Sequence, residues 1–229
     1  MILILAPNVL RFASANPLNR YSARAPCNSR LMHAQTRFCN VCGHSVDFLV
    51  PAGDHLPRHV CPSCGQVQYR NPKVIVGVIP EWRDGRVLMC RRNIEPRLGL
   101  WTFPAGFMEM GETSAAGAAR EAREESLAEV EVGSLLMVMN VPYVSQVYMV
   151  HCGRLLSEEF GPTPESSEVV LMREDEIPWD DIAFPTIWHS LRHFFDDRRN
   201  GSFSTHLLDL TFKPRPPQRP EVPGDDPTA

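Results

Sequence analysis

No apolar run in this 229-residue chain reaches the roughly 18 residues that a helix needs to cross a bilayer. Nor is there an excess of positive charge. The 23 Lys and Arg stand against 27 Asp and Glu, a net charge of -4, so composition supplies no broad field for a polyanion. Internal repeats are absent, which excludes a repeat architecture. The seven cysteines are an odd number, with four in two close pairs, which fits a reducing compartment and one metal site better than a disulfide framework. The first 46 residues contain no Asp or Glu, only Arg11, Arg20, Arg24, Arg30 and Arg37 among scattered Ser and Ala.

That last absence has three readings. The composition resembles an organelle transit peptide. Alternatively, Met1 to Leu10 with Ala13-Ser14-Ala15 mimics a secretory leader, although Pro7 interrupts it and no basic residue precedes it. In the third reading Met32 is the true start and residues 1–32 are an unstructured leader. The expected compartment is the cytoplasm, or an organelle if the leader is a transit peptide.

What is present begins with the cysteines. Cys39-Asn40-Val41-Cys42-Gly43 and Cys61-Pro62-Ser63-Cys64-Gly65 form two C-x2-C pairs separated by eighteen residues. Two thiolates two residues apart grip one tetrahedral ion from a tight turn, and a following glycine allows the backbone of that turn. Two such knuckles close a four-sulfur shell around structural Zn²⁺ and leave no position open for water. Unrelated thiols or a redox pair explain neither the symmetry nor the glycines. Between the pairs, Arg58, His55 and His59 face Asp47 and Asp54, too few cations to favour nucleic acid as partner.

From Lys73 the texture changes. Val74 to Ile79 is largely β-branched and reads as a strand ended by Pro80, and Asp84-Gly85 turns the chain into a second, Arg86 to Cys90. Thr113 to Ser126, rich in Ala, Glu and Arg, reads as a helix capped by Thr113 or Ser114. Val130–Val141, Gln146–Leu155 and Val169–Met172 read as strands, and Ile187 to Asp197 as a final helix. This order lacks regular βαβ alternation and argues for a mixed α/β sandwich. The expected division is a leader at 1–32, a cysteine-bearing lobe at 33–72, a main domain at 73–200 and a largely disordered proline-rich tail at 201–229.

Glu121, Glu124 and Glu125 stand at i, i+3 and i+4, on one face of the predicted helix. Three carboxylates so close repel one another unless a cation sits between them, and hard oxygen ligands suit Mg²⁺ or Mn²⁺. Such ions draw charge from a phosphoanhydride and acidify a bound water, whose proton a free carboxylate takes. Glu, Arg and Ala are also simply good helix formers, so a solvated face is the competing reading.

The spacing decides between them. Gly106, five residues, Glu112, seven residues, Arg120-Glu121, then Glu124-Glu125 resembles the Nudix box at all its charged positions. The resemblance implies a Nudix α/β/α sandwich with a small zinc-ribbon lobe. It implies Glu124 and Glu125 as leading metal ligands, with Glu121 as a further ligand or the base. Arg120 and Glu112 would brace the helix, and Gly106 would offer its carbonyl to the metal. The family pattern expects glycine where this chain has Leu127.

Beyond the box, Asn71-Pro72, Gly99 to Glu109 and Asp175 to Pro185 resemble a zinc-ribbon Nudix subgroup associated with ADP-ribose and FAD. The NADH-pyrophosphatase and RNA-decapping branch shows Ser-Gln-Pro-Trp-Pro-Phe-Pro, where this chain has Ser145-Gln146-Val147-Tyr148-Met149, which leaves NADH pyrophosphatase as a less favoured alternative. Glu168 is a candidate loop ligand or base, Glu109 an auxiliary ligand, Arg91 and Arg92 candidate diphosphate contacts. Trp101, Tyr143 and Tyr148 are candidate stacking partners for a base. The expected partner is a small nucleotide, without membrane, and a homodimer is compatible with the resemblance. Two other functions keep the box: a nucleic-acid-binding regulator that only senses a metabolite, and a sanitiser of oxidised nucleoside triphosphates.

Overall fold

The computed structural model describes residues 36–211; the leader readings and the proline-rich end of the tail lie outside them. The cysteine lobe is a three-stranded antiparallel sheet, β1 (Asp47–Leu49), β2 (Arg58–Val60) and β3 (Val67–Gln68), in that order. Its buried residues are few: Cys39, His59 and Cys61. Phe38, Phe48, Val50 and Leu56 are exposed, so apolar burial alone does little to hold this lobe.

The main domain is built on β4 (Lys73–Glu81), β5 (Val87–Arg92), β6 (Trp101–Thr102), β7 (Ala105–Phe107), β8 (Val130–Val141), β9 (Gln146–Leu155), β10 (Ser166–Met172) and β11 (His206–Asp209). The sheet runs β10-β5-β4-β9-β8-β11, with β6 on β5 and β7 on β4. β4 and β9 are parallel from Lys73↔Gln146 to Glu81↔Arg154. Because side chains alternate across a strand, the neighbours Val78 and Ile79, or Leu88 and Met89, face opposite layers. Val78, Leu88 and Cys90 pack with Ala118 and Ala122 of α1 (Ser114–Ser126). Ile79 and Met89 pack with Ile187, Leu191, Phe194 and Phe195 of α2 (Pro185–Asn200). The result is the α/β/α sandwich.

Two expectations are corrected. Pro80 does not end the first strand, which runs on to Glu81. On one edge of β4 the pairing passes from β7, through Gly77, to β5 at Glu81, and the Val78 N–H reaches Pro104 O. The missing Pro80 N–H falls in that gap and costs no ladder bond. The boundary at residue 200 is also too early, since β11 pairs parallel to β8 at Met137 to Asn140. The His206 ring donates from Nε2 to the Asp197 carboxylate at 2.9 Å, and the Thr205 hydroxyl donates to Leu135 O, which ties this strand down.

Candidate metal and substrate site

The two cysteine turns are built alike. The Gly43 N–H donates to Cys39 O and the Gly65 N–H to Cys61 O, both glycines having φ of 74°. The Cys39 and Cys61 N–H groups donate to His44 O and Gln66 O. Sγ separations are 3.7 Å for Cys39–Cys64 and 3.4 Å for both Cys42–Cys61 and Cys42–Cys64. Four thiolates about 2.3 Å from a tetrahedral ion stand roughly 3.8 Å apart, so the set fits one. Backbone N–H groups, first that of Cys42, hold the Cys39 thiol below its ordinary range, and that of Cys64 does the same for Cys61. Among the described residues this is the one group of three or more Cys, His, Asp or Glu with all ligand atoms within 4.8 Å.

The glutamates are held differently. Thr113 caps α1 by accepting from the Ala116 N–H at 3.1 Å. Arg120 then gathers the loop and the helix: it donates to both Glu112 oxygens, to Glu121 and Glu124 at 2.8 Å each, and to Phe107 O at 3.0 Å. Glu112 accepts also from the Glu109 N–H, and the Arg120 guanidinium keeps its carboxyl below the usual range. A Cβ on Gly106 would lie 2.3–2.4 Å from the Glu121 carboxyl group, so only glycine leaves room for that carboxylate against the loop. Glu125 is 6% exposed and accepts from the Ala105 N–H at 3.1 Å. Burial pushes its pKa up to about 8, and desolvation raises Glu121 as well.

A carboxylate bearing one hydrogen bond in so dry a place, beside a backbone cradle and two further carboxylates, is a donor set of hard oxygens short of positive charge. It fits Mg²⁺ or Mn²⁺. Glu124 is the exposed member, turned onto Arg120.

Several predicted residues fall elsewhere. Glu168 lies not in a loop but on β10, opposite Arg91 and 3.6 Å from its guanidinium. Glu165, which the sequence reading passed over, lies close enough for its charge to raise both Glu121 and Glu125. Its loop is pinned by Thr163, whose hydroxyl donates to Glu125 O, and by the Asn93 N–H, which donates to Glu165 O. Trp101 is core, 9% exposed, and lines no substrate cavity among those described. The Glu109 carboxylate is exposed and makes no hydrogen bond or ion pair among the described residues.

Arg91 and Arg92 are adjacent on a strand, so their side chains part. Arg92 lies over the Phe184 ring at 5.2 Å, lowers Glu125 by its charge, and lines a cavity of about 490 Å³. Tyr143, Tyr148, Ala105 and Gly106 line it too, which joins it to the glutamates. Arg97 and Phe184 are also in its wall; Arg97 had no signal in the sequence, and Phe184 stood only within the resembling stretch Asp175 to Pro185. Arg97 has φ of 70°, outside ordinary β and α backbone.

Leu127 closes α1 in the left-handed conformation, φ 62°, its N–H donating to Arg123 O. The side chain is 57% exposed and packs little. Leu127→Gly should therefore raise stability by about 1 kcal/mol, the lower end of the penalty for an L-residue in that region. Denaturant titration reads this; a destabilised variant would mean the leucine is held by packing.

Comparison with known proteins follows the same division. A family model described as "Nudix N-terminal" matches residues 37–70, and one described as "NUDIX domain" matches residues 71–198. The crystal structure of a Nudix hydrolase from Nitrosomonas europaea is 48% identical, covers 77% of this chain and 99% of its own, with a TM-score of 0.74. A "NAD-capped RNA hydrolase NudC" of Pseudomonas aeruginosa is 31% identical over 193 residues, 82% of this chain and 60% of that protein. The one from Edwardsiella ictaluri is 38% identical over 109 residues, 47% of this chain and 38% of that protein. The chain thus spans between 38% and 60% of the length of these two relatives.

Proposed function

The chain belongs to the Nudix family, with a zinc-ribbon module before the Nudix domain, and from that premise we propose that it hydrolyses the diphosphate of a nucleoside diphosphate linked to another group. ADP-ribose and FAD are the favoured substrates, giving AMP plus a phosphorylated partner. The observation that carries this is the buried pair Glu121 and Glu125, held against Gly106 and Ala105, two residues that also line an arginine-bearing cavity of ligand size.

Glu121, Glu124, Glu125 and the Gly106 carbonyl would hold Mg²⁺ or Mn²⁺; Cys39, Cys42, Cys61 and Cys64 would hold Zn²⁺. The bound divalent ion would neutralise charge on the diphosphate and acidify a water. The rest belongs to the chain. Arg120 and Glu112 fix the helix against the loop, so the carboxylates need not reorganise. Arg92 offers a guanidinium to a phosphate. Glu165, outside the helix but near enough for its charge to act on Glu121 and Glu125, would take the proton of the attacking water. Tyr143, Tyr148 and Phe184 offer faces to a base.

The curated relatives' name supports a second reading, hydrolysis of NAD-capped RNA. One panel separates the possibilities: ADP-ribose, FAD, NADH, NAD-capped RNA and 8-oxo-dGTP with Mg²⁺ or Mn²⁺, followed by chromatography. AMP from ADP-ribose or FAD is expected. A preference for the capped RNA would favour the second reading, and a preference for the triphosphate a sanitiser. Binding without turnover would leave only a sensor.

A further inference from the structure

A second cavity, of about 460 Å³, lies where the zinc-ribbon lobe meets the Nudix domain. Its walls come from both: Phe48, Arg58 and Arg70 on one side, Lys73, Tyr143 and Val144 on the other. Tyr143 and Val144 also line the cavity beside the glutamates, so the two share a wall. Lys73 links them again, its ammonium 4.7 Å from the centre of the Phe107 ring, which lines the first cavity.

The charge of the groove is distinctive. None of its lining residues is Asp or Glu, in a chain where acids outnumber Lys and Arg 27 to 23. The first cavity has no carboxylate in its lining either. Three cationic side chains, Arg58, Arg70 and Lys73, stand in its wall, Arg58 paired with Asp54 at 3.0 Å. Phe48, 50% exposed, presents an aromatic surface beside them. Cations with an aromatic face and no acid suit an anion that carries a planar ring.

We infer that this groove is a second substrate lobe, which takes the second nucleotide unit of a dinucleotide whose diphosphate lies at the glutamates. The inference rests on the diphosphatase reading and deepens it, since the ribbon then forms part of the substrate site. A base on both sides of the diphosphate fills both lobes. ADP-ribose, which has a base on one side only, leaves the second lobe without its ring. Arg70 and Lys73 act here as specificity residues.

The test compares Arg70→Ala and Lys73→Ala with the wild-type protein. Dissociation constants for FAD, ADP-ribose and an NAD-capped oligonucleotide are measured with Ca²⁺ in place of Mg²⁺, turnover of FAD and ADP-ribose with Mg²⁺, and zinc content on every sample. The ratio of FAD to ADP-ribose affinity should fall about tenfold in at least one variant, roughly the loss of one charge-assisted contact, at unchanged zinc content. Equal weakening of both ligands, or none, overturns the lobe. So does a loss that appears only with a capped oligonucleotide, which would assign the groove to a nucleic-acid strand. Turnover is read separately: a wild-type protein that binds both ligands and cleaves neither defeats the diphosphatase reading, while the affinity ratio still decides the lobe.

Discussion

Glu125→Gln should give a protein that is more stable than the wild type at pH 8 without added Mg²⁺ or Mn²⁺, yet cleaves its substrate on the order of 10³ times more slowly. Both effects have one cause. Burial raises the Glu125 carboxyl from 4.5 to about 8. The folded protein therefore keeps this proton over a pH range where the unfolded chain has released it. The resulting stability is whole below about pH 4.5 and is lost as the pH rises through about 8. Glutamine never ionises, so the variant keeps that stability, a difference of a few kcal/mol at pH 8 at about 1.4 kcal/mol per pKa unit. Its amide oxygen can still accept from Ala105. What it lacks is the negative charge that a divalent ion needs. Urea titrations at pH 5 and pH 8, beside turnover at pH 8, read both effects. Equal stability at pH 8 would contradict the dry environment of Glu125, and turnover within tenfold of wild type would remove it from the metal site.

Cys61→Ser should cost the ribbon its structure while sparing the Nudix domain. The lobe has almost no core of its own beyond Cys39, His59 and Cys61, and its larger apolar side chains face outward. Structural zinc supplies about 10–16 kcal/mol of apparent binding energy to comparable small modules, and that energy is their folding energy. A serine in the buried Cys61 position removes one of four thiolates and leaves the rest unable to close the shell. Zinc content should drop to a small fraction, and limited proteolysis should cut between residues 37 and 70 first. A variant that retained its zinc and resisted cleavage would show that the lobe stands on packing.

Local chemistry made much of this fold readable. The β8 and β9 boundaries coincide with the expected ones, and Thr113 caps α1 as its position suggests. The box glutamates and the cysteine pairs announce themselves because fixed spacing is a local property. Failures came where a neighbour distant in sequence decides. Pro80 is tolerated because of a gap in the pairing of β4, and β11 exists because β8 offers it an edge. Glu168 faces Arg91 because β10 aligns with β5, a strand distant in sequence. Arg91 and Arg92 look equivalent in the sequence; strand alternation and the cis peptide loop at Pro96, whose carbonyl accepts from Arg92, separate them. Trp101 is a core residue because β6 tucks it against β5, which its composition could not announce.

Arg120 carries one further consequence. Its guanidinium already binds Glu112, Glu121 and Glu124, so the glutamate-bearing helix α1 has a resident counter-ion built into the chain. The glutamate site can therefore assemble before any divalent ion arrives, and an incoming ion would compete with the arginine for Glu124. The cysteine shell has no such substitute. A mild chelator would leave an intact but idle enzyme that restarts on adding Mg²⁺, whereas one strong enough to strip zinc would take a whole lobe with it.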